Sequence, residues 1–192
     1  MKEKIGILGG TFNPIHNGHI GAAAAAREQL NLDKVLLIPA GMPPHKAVPE
    51  GSPGKDERLE MVKLAASEYP FLEACDLEIR RSGKSYTIDT VSELKKKYAD
   101  ASFDLIVGTD MLLNLENWHR ADELFRLVRV AAVRRRSSDE AVILGKAREY
   151  ERKFGADIVL INCVAIEISS TEIRKEIKSG RGEKWIPGGV LR

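Results

Sequence analysis

Short apolar runs alternate with longer amphipathic stretches along the whole chain. The apolar runs are rich in leucine or β-branched residues and are bounded by glycine, proline or charge, which is typical of buried strands. We therefore predict strands at Ile5–Leu8, Val35–Ile38, Leu72–Ile79, Leu105–Val107, Val130–Val133 and Ile158–Ile161. The stretches that separate or follow them predict helices at Gly18–Leu30, Asp56–Tyr69, Thr87–Tyr98, Ala121–Leu127, Glu140–Phe154 and Ser169–Ser179.

This alternation predicts a Rossmann-like α/β fold, a doubly wound parallel sheet with helices on both faces. Ligands in such folds bind beyond the carboxyl ends of the strands. Because Gly9, Pro39 and Gly108 all follow predicted strands, the loops that they open are expected to line one crevice. The length of 192 residues fits a single domain, residues 1–192, whose C-terminal part from about residue 165 carries the last helix.

One connection is unusually long and rich in residues that break regular structure. Pro39–Gly54 contains five prolines and three glycines, which exclude a regular helix or strand. A connection of this length inside a compact domain is usually functional or disordered. We call it the proline-rich segment.

Composition narrows the function classes. Hydrophobic residues make up 43% of the chain, charged residues 30%, and the net charge is +2, so no basic surface points to a nucleic acid partner. No apolar run reaches the length of a membrane span, and the N-terminus lacks a signal-peptide pattern. Cys75 and Cys163 lie in apolar stretches without metal-binding spacing. These features predict a cytoplasmic protein with no membrane partner.

The strongest chemical signal follows the first predicted strand. Gly9-Gly10-Thr11-Phe12 is followed by His16 and His19, three residues apart at the start of a helix. Positions i and i+3 share a helix face, so both imidazoles can face one ligand. Backbone N–H groups at a helix N-terminus favour an anion, and the glycines allow a close approach of phosphate. Capping or surface histidines are the alternative explanation.

A second signal of the same kind lies far along the chain. Ser169-Ser170-Thr171-Glu172 contains the S-x-x-E pattern of a capping box, and Arg174 shares a helical face with Thr171. Hydroxyls, N-terminal amides and a guanidinium that converge on one place form a suitable site for a polyphosphate. Capping alone would also account for the serine and the glutamate.

These two stretches resemble the HxGH and ISSTxxR signatures of the nucleotidylyltransferase superfamily. The wider pattern resembles bacterial nicotinate-nucleotide adenylyltransferases, from residue 5 to about residue 187. Further matches to that family are Pro43-Pro44-His45-Lys46, Arg58 with Met61, Ser85-Tyr86-Thr87-Ile88-Asp89-Thr90, and Gly108-Thr109-Asp110 followed by Trp118.

The resemblance implies that AMP is transferred from ATP to the 5′-phosphate of nicotinate mononucleotide, which gives deamido-NAD and pyrophosphate. It implies Mg²⁺ as the ion that accompanies ATP, with no metal ligands from the protein, and that homo-oligomers occur. The phosphate nucleophile has a second pKa of about 6, so the reaction needs no general base.

The resemblance also implies a role for each matching residue. The catalytic residues would be His16, His19, Lys46 and Arg174, with the two histidines at the α-phosphate. The ATP-binding residues would be Gly9, Gly10, Thr11, Phe12, Gly108, Asp110, Arg134, Ser169, Ser170 and Thr171. The nicotinate mononucleotide would contact Lys46, Thr87, Trp118 and His119. For Arg134 a charged strand end in solvent is an equal alternative, for Thr87 a helix N-cap, and for Trp118 a plug against the core.

The chain departs from the family pattern in a few places, and none of them removes a catalytic group. Asn13 stands where aspartate is usual, Thr109 where alanine or serine is common, and His119 where tyrosine is frequent. Asparagine can still bond the backbone at a turn, as aspartate would.

Three other functions compete with this one. Pantetheine-phosphate adenylyltransferases share both phosphate signatures, but the proline-rich segment, the Trp118 segment and the chain length argue against them. A non-catalytic nucleotide sensor on the same fold would not require His16, His19, Lys46 and Arg174 together. A dinucleotide-dependent dehydrogenase would need a G-x-G-x-x-G motif, which Gly6, Gly9 and Gly10 do not form. A preference for nicotinamide over nicotinate is a closer variant, which the sequence does not decide.

Overall fold

The architecture follows from six parallel strands with helices packed on both faces. The computed structural model describes residues 2–44, 49–134, 139–163 and 169–191. The strands are β1 Lys4–Gly10, β2 Lys34–Pro39, β3 Leu72–Ala74, β4 Ser102–Gly108, β5 Arg129–Arg134 and β6 Ile158–Asn162. The helices are α1 Asn17–Leu30, α2 Lys55–Ser67, α3 Leu77–Arg80, α4 Thr87–Lys97, α5 Thr109–Leu113, α6 Ala121–Leu127, α7 Asp139–Phe154 and α8 Ser170–Lys178. Short 3₁₀ turns span Leu115–Asn117, Glu183–Trp185 and Gly188–Leu191.

The strand order is β3-β2-β1-β4-β5-β6, and every neighbouring pair is parallel. The chain therefore builds the sheet outward in one direction from β1 and then outward in the other direction from β4. In an open sheet of this kind the crevice for a ligand lies where the order reverses, beyond the carboxyl ends of β1 and β4. The loop after Gly10 and the helix after Gly108 both begin at this crevice. The strand order and the parallel pairing confirm the predicted fold class.

Alternation along the strands divides the core into two layers. Ile5 and Ile7 of β1 point to a layer that contains residues of α4, α6 and α7, whereas Leu8 points to the layer formed with α1 and α2. Ala23 and Ala26 of α1 are fully buried, and their small side chains let this helix approach the sheet closely. Both faces are thus covered, as a fully parallel sheet requires.

The strand predicted at Leu72–Ile79 is wrong beyond Ala74. Cys75 still donates its N–H to the carbonyl of Leu37, but Leu77–Arg80 then form the single helical turn α3. Leu77 and Ile79 alternate as strand residues would, and the turn buries Ile79 equally well. The helical turn also brings the Glu78 carboxylate to Thr90 on α4, a contact that local periodicity does not reveal.

The last helix lies apart from the two main layers. Ile173 of α8 packs with Ile186, and Trp185 and Val190 cover this small cluster. The predicted ends at Ser169 and Ser179 are the caps of the helix. Gly180 follows with φ +72°, a conformation that glycine adopts at low cost, and it terminates α8. In the described part of the chain, no helix has the length and apolar character that are needed to cross a bilayer.

Candidate active site

His16 and His19 form the start of α1. His16 is the N-cap, and its Nδ1 accepts from the Gly18 N–H at 3.2 Å. His19 occupies the third helical position, and its Nδ1 accepts from the His16 N–H at 3.2 Å. The two histidines thus form a reciprocal capping box, a role that serine and glutamate usually fill. The capping alternative is therefore confirmed, and the catalytic role of the two histidines stays a prediction.

This capping fixes the chemistry of the imidazole edges. A neutral imidazole that accepts at Nδ1 carries its proton on Nε2, so each ring has an Nε2–H donor. The two rings lie 3.7 Å apart between centroids, tilted by 33°. His16 is only 3% exposed, and the edge of the His19 ring packs against Phe12 at 5.0 Å. Two oriented donors at one helix N-terminus suit the binding of a phosphoryl group.

The glycine turn before these histidines is shaped by Phe12. Phe12 has φ +48°, which is uncommon for a side-chain-bearing residue, and its ring is 2% exposed. A Cβ on Gly10 would lie 3.1 Å from that ring, whereas one on Gly9 would meet only the Ile38 carbonyl, at 4.0 Å. A side chain at Gly10 would therefore need the buried Phe12 ring to shift by a few tenths of an ångström. The burial of Phe12 leaves its backbone as the part that can contact ATP.

The second phosphate signature packs directly onto the first. Ser170 donates its hydroxyl to the Pro14 carbonyl at 3.1 Å, and the Arg174 Nη1 donates to the Asn13 carbonyl at 2.6 Å. The Arg174 Nη2 also donates to the Thr171 hydroxyl at 3.2 Å. The N-terminus of α8 thus lies beside the N-terminus of α1, although about 155 residues separate them in sequence.

Ser169 caps α8 as its sequence pattern predicts. Its hydroxyl accepts from the Glu172 N–H, and the Glu172 carboxylate accepts from the Ser169 N–H at 2.8 Å. The Ser169 hydroxyl also donates to this carboxylate at 2.7 Å, and the two bonds that the carboxylate accepts from Ser169 lower the pKa of the Glu172 carboxyl. A cavity of about 350 Å³ adjoins the same junction, lined by Asn13 and Arg174 and by apolar side chains of α2, α8 and the residues after α8. Its mainly apolar walls suit packing better than a triphosphate.

Three residues that are predicted to bind nicotinate mononucleotide lie at the start of α4 and directly after the 3₁₀ turn Leu115–Asn117. Trp118 is half-buried and packs against the core layer of α4 and α6, which is the structural role considered as its alternative. The exposed His119 stacks on Tyr86 with ring centroids 4.4 Å apart. Thr87 is the first helical residue of α4, and the cap position belongs to Tyr86, so the alternative role of Thr87 as an N-cap is not observed.

The other predicted site residues have mixed environments. Gly108 is the last residue of β4, the strand that pairs with β1. Asp110 follows in the first turn of α5, where its side chain is exposed near the end of β1. Arg134 ends β5 and forms an ion pair with Glu140 at 2.5 Å, so its charge is already engaged within the protein. Lys46 lies outside the described residues. No cluster of three or more His, Cys, Asp or Glu side chains within the described ranges is arranged to hold a metal ion.

Two contacts of the proline-rich segment were not anticipated from the sequence. The Asn13 amide donates to the Ser52 hydroxyl at 2.8 Å, which aspartate at this position could not do. The Ser85 hydroxyl accepts from the N–H groups of Gly41 and Met42, at 3.0 and 3.2 Å. The segment is therefore attached near its start to Ser85 and near its end to Asn13. Local sequence patterns do not predict these contacts, because the bonded residues are 44 and 39 positions apart.

Ser85 in turn belongs to a buried polar group around Glu78. The carboxylate of Glu78 is 7% exposed and accepts from the hydroxyls of Thr90, at 2.6 Å, and Ser85. Burial raises the pKa of the Glu78 carboxyl, and these hydrogen bonds together with the charge of Arg81 oppose the rise without cancelling it.

A raised carboxyl pKa has a defined effect on stability. The folded protein holds this proton more tightly than the unfolded chain, so the stabilisation is complete below about pH 4.5, the ordinary value, and is lost as the pH rises through the raised pKa. In Glu78→Gln this dependence is absent. Thermal unfolding between pH 4 and 8 should show the wild type losing stability relative to the variant over that window. Parallel curves would contradict the argument, and Glu60→Gln, an exposed carboxylate on α2, is the control.

The chain is similar in sequence to known proteins over nearly its whole length. Residues 7–176 match the family model described as cytidylyltransferase-like. A protein of Synechococcus sp. (strain JA-3-3Ab) named "Probable nicotinate-nucleotide adenylyltransferase" is 40% identical over 187 residues, 97% of this chain and 88% of that protein. A protein of the same name from Lachnoclostridium phytofermentans is 36% identical over 190 residues, 99% of this chain and 94% of the other.

Solved structures show the same fold. Plasmodium falciparum nicotinic acid mononucleotide adenylyltransferase, in complex with NaAD, superposes with a TM-score of 0.77 at 20% identity, over 98% of this chain and 93% of that one. The same enzyme in complex with APC gives a TM-score of 0.75 at 19% identity, over 98% and 92%. At this level of identity the likeness supports the architecture and says nothing of individual side chains.

Proposed function

We infer that this chain, which belongs to the cytidylyltransferase-like family and within it to the nicotinate-nucleotide adenylyltransferases, transfers the AMP moiety of ATP to the 5′-phosphate of nicotinate mononucleotide. The products are deamido-NAD and pyrophosphate, which makes the reaction a step of NAD biosynthesis. The observation that carries this assignment is the contact of Ser170 and Arg174 with the loop that bears His16 and His19. This contact brings the two segments that resemble phosphate-binding signatures next to each other.

The chemistry requires positioning and charge neutralisation rather than a base. An oxygen of the 5′-phosphate attacks the α-phosphorus of ATP, a new P–O bond forms, and the bond to the β-phosphate oxygen breaks as pyrophosphate leaves. Because the attacking phosphate is largely ionised at neutral pH, no side chain has to remove a proton. The protein holds the two phosphates in line and stabilises the charge that develops at the α-phosphorus.

The hydrogen-bond donors of the protein contact two different parts of the ATP triphosphate. The Nε2–H groups of His16 and His19 bind the α-phosphoryl oxygens. Ser170, Thr171 and Arg174 hold the β- and γ-phosphates, and Lys46 adds a further positive charge. Mg²⁺ would enter as part of the substrate MgATP, where it would neutralise phosphate charge.

The remaining contacts recognise the two nucleosides. Gly108 and Asp110 bind the adenosine, with the exposed Asp110 carboxylate accepting from ribose hydroxyls. The turn before the histidines contacts the ATP phosphates through Gly9, Gly10, Thr11 and the backbone of Phe12. Ser169 holds the start of α8 beside these phosphates as its cap. An ATP contact is least well supported for Arg134, because its charge is paired with Glu140. Thr87, Trp118 and His119 surround the nicotinate ring. A cytoplasmic location follows from ATP as the substrate.

A pyrophosphate-release assay tests the assignment. Purified protein is supplied with MgATP and one of three acceptors: nicotinate mononucleotide, nicotinamide mononucleotide or phosphopantetheine. We expect release with nicotinate mononucleotide and deamido-NAD as the detected product. Preference for phosphopantetheine would assign the chain to the sister activity, and nucleotide binding without release would assign it to a sensor.

Trp118 separates ring stacking from core packing. Replacing it with alanine should weaken nicotinate mononucleotide binding by about 1–3 kcal/mol, because a flat base loses its aromatic partner, and should leave ATP binding within about twofold. Trp118→Phe keeps a ring and should retain most of the affinity. Calorimetric titration of each substrate provides the measurement. Equal losses for both substrates would mean that Trp118 acts only through packing.

A further inference from the structure

Arg58 is a buried cation with an unusual set of partners. It lies on α2 and is 1% exposed. Its guanidinium donates from Nη1 to the Thr11 carbonyl at 2.6 Å, and from Nη2 to the carbonyls of Ala40 at 2.7 Å and Gly41 at 3.4 Å. All the acceptors are backbone oxygens, and Nε has no hydrogen-bond partner among the described residues. No carboxylate bonds this charge in the described structure.

Such an arrangement costs stability. Removing a charge from water is unfavourable unless a counter-ion and hydrogen bonds compensate, and burial lowers the pKa of Arg58 for this reason. Three carbonyls compensate in part, since hydrogen bonds from a charged donor are stronger than neutral ones. An apolar side chain of similar length would fill this space without a charge to desolvate. The guanidinium is therefore better explained by what it joins than by core packing.

Arg58 connects the two loops that the reaction must hold together. Thr11 belongs to the phosphate loop, directly between β1 and the two histidines. Ala40 and Gly41 begin the proline-rich segment, directly after β2. The planar fork of the guanidinium bonds one loop through one nitrogen and the other loop through its neighbour, which fixes their separation.

The start of the proline-rich segment has little room to move. The Ala40 N–H donates to the Gly10 carbonyl at 2.9 Å, and the N–H groups of Gly41 and Met42 bond the Ser85 hydroxyl. A Cβ on Gly41 would lie only 2.3 Å from the Glu78 carbonyl, so α3 stands against the other side of this turn. Arg58 supplies the remaining contact, to the carbonyls of the same peptides.

We propose that Arg58 is a positioning residue that sets the distance between the phosphate loop and the start of the proline-rich segment, and so holds the two substrates in line. The proposal rests on the proposed function, because the ATP phosphates and the nicotinate mononucleotide occupy these two sides. Arg58 itself touches neither substrate. A displacement of about 1 Å between reacting groups can lower the rate about 100-fold, so its effect falls on kcat.

Two variants and a matched control test this role. Arg58→Lys keeps the charge but has a single donor atom that cannot bond Thr11 and Ala40 in the same way. Arg58→Met removes the charge and keeps most of the length. Lys63→Met removes an exposed cation from the same helix, where Lys63 pairs only with Glu60 in the described structure. Each variant is measured for kcat, for KM of both substrates, and for the number of sites that bind a non-hydrolysable ATP analogue.

We expect kcat per binding-competent site to fall at least tenfold in Arg58→Lys and further in Arg58→Met, with both KM values within about threefold and Lys63→Met unchanged. A purely structural role would reduce the melting temperature and the number of sites but leave kcat per site intact, and that result overturns the proposal. Because Arg58→Met is the variant at risk of not folding, Arg58→Lys decides the outcome.

A second measurement is independent of the reaction. Hydrogen exchange of the Ala40, Gly41 and Met42 amides should accelerate at least tenfold in Arg58→Lys and remain unchanged in Lys63→Met. If wild-type protein releases no pyrophosphate but the exchange result holds, the proposed function fails and the positioning of the loops stands. If the wild type is active and exchange is unaltered in Arg58→Lys, the positioning role is refuted.

Discussion

Replacing His19 with glutamine is expected to lower kcat by about 10²–10³-fold while α1 keeps its N-terminal cap. Glutamine is a common residue at the third helical position of a capping box, so it can still accept from the His16 N–H. The variant lacks the imidazole ring of His19. In that ring Nδ1 accepts the capping hydrogen bond, so the proton lies on Nε2 and forms a donor on the side away from the cap. A donor that acts on developing charge at the α-phosphorus contributes mainly to kcat.

His16→Asn supplies the matched test on the other histidine. Asparagine is among the best N-cap residues, so the start of the helix should be preserved within a few tenths of a kcal/mol while the second imidazole is lost. Steady-state kinetics and thermal melting separate the two roles. A variant that retains nearly wild-type kcat would reduce the histidines to caps, and a large loss of melting temperature with normal kcat per folded molecule would do the same.

Local sequence patterns were sufficient to predict the strands and most of the helices that carry this site. The apolar runs predict all six strands, and the glycine, proline and capping residues that bound them predict where most helices begin and end. The S-x-x-E pattern before α8 identifies the cap that Ser169 and Glu172 form. These features succeed because each depends on hydrogen bonds or burial within a few residues of sequence.

The contacts that complete the site depend on distant residues, and the sequence gives little sign of them. The buried bonds of Arg58 join segments 18 and 47 residues away. The contact between the Tyr86 and His119 rings and the pairing of Arg134 with Glu140 are likewise not evident from local patterns. Arg58 and Tyr86 belong to motifs of the family, but those motifs give no role for either residue. The sequence also does not distinguish an Arg134 that is solvated from one that is paired with a carboxylate.

The same limit explains the error at α3. A run such as Leu77-Glu78-Ile79 is compatible with both a strand and a helical turn. The contacts of the Glu78 carboxylate decide which of the two conformations forms. Glu78 must reach Thr90 and Ser85 to be buried. Tertiary satisfaction of one polar group therefore overrides a local strand preference.

Removing the charge of Arg174 should weaken ATP use by about 10²–10³-fold in kcat/KM, because hydrogen bonds between a guanidinium and phosphate are lost from a partly buried place. The effect should be selective. If Arg174 holds the β- and γ-phosphates, Arg174→Met raises KM for ATP and, in the reverse reaction, KM for pyrophosphate, but leaves the affinity for nicotinate mononucleotide within about twofold. Arg174→Lys keeps the charge and should recover part of the loss.

The structural role of Arg174 has to be separated from this effect, because its Nη1 also bonds the Asn13 carbonyl, next to the loop with the histidines. Lys178→Met removes a cation from the last turn of the same helix, far from the cap, and should leave both KM values unchanged. If Arg174→Met lowers the melting temperature and raises KM for nicotinate mononucleotide as much as for ATP, the arginine acts by docking α8 against the phosphate loop through Asn13. A defect confined to ATP and pyrophosphate, with an unchanged melting temperature, identifies the guanidinium as the group that binds the leaving phosphates.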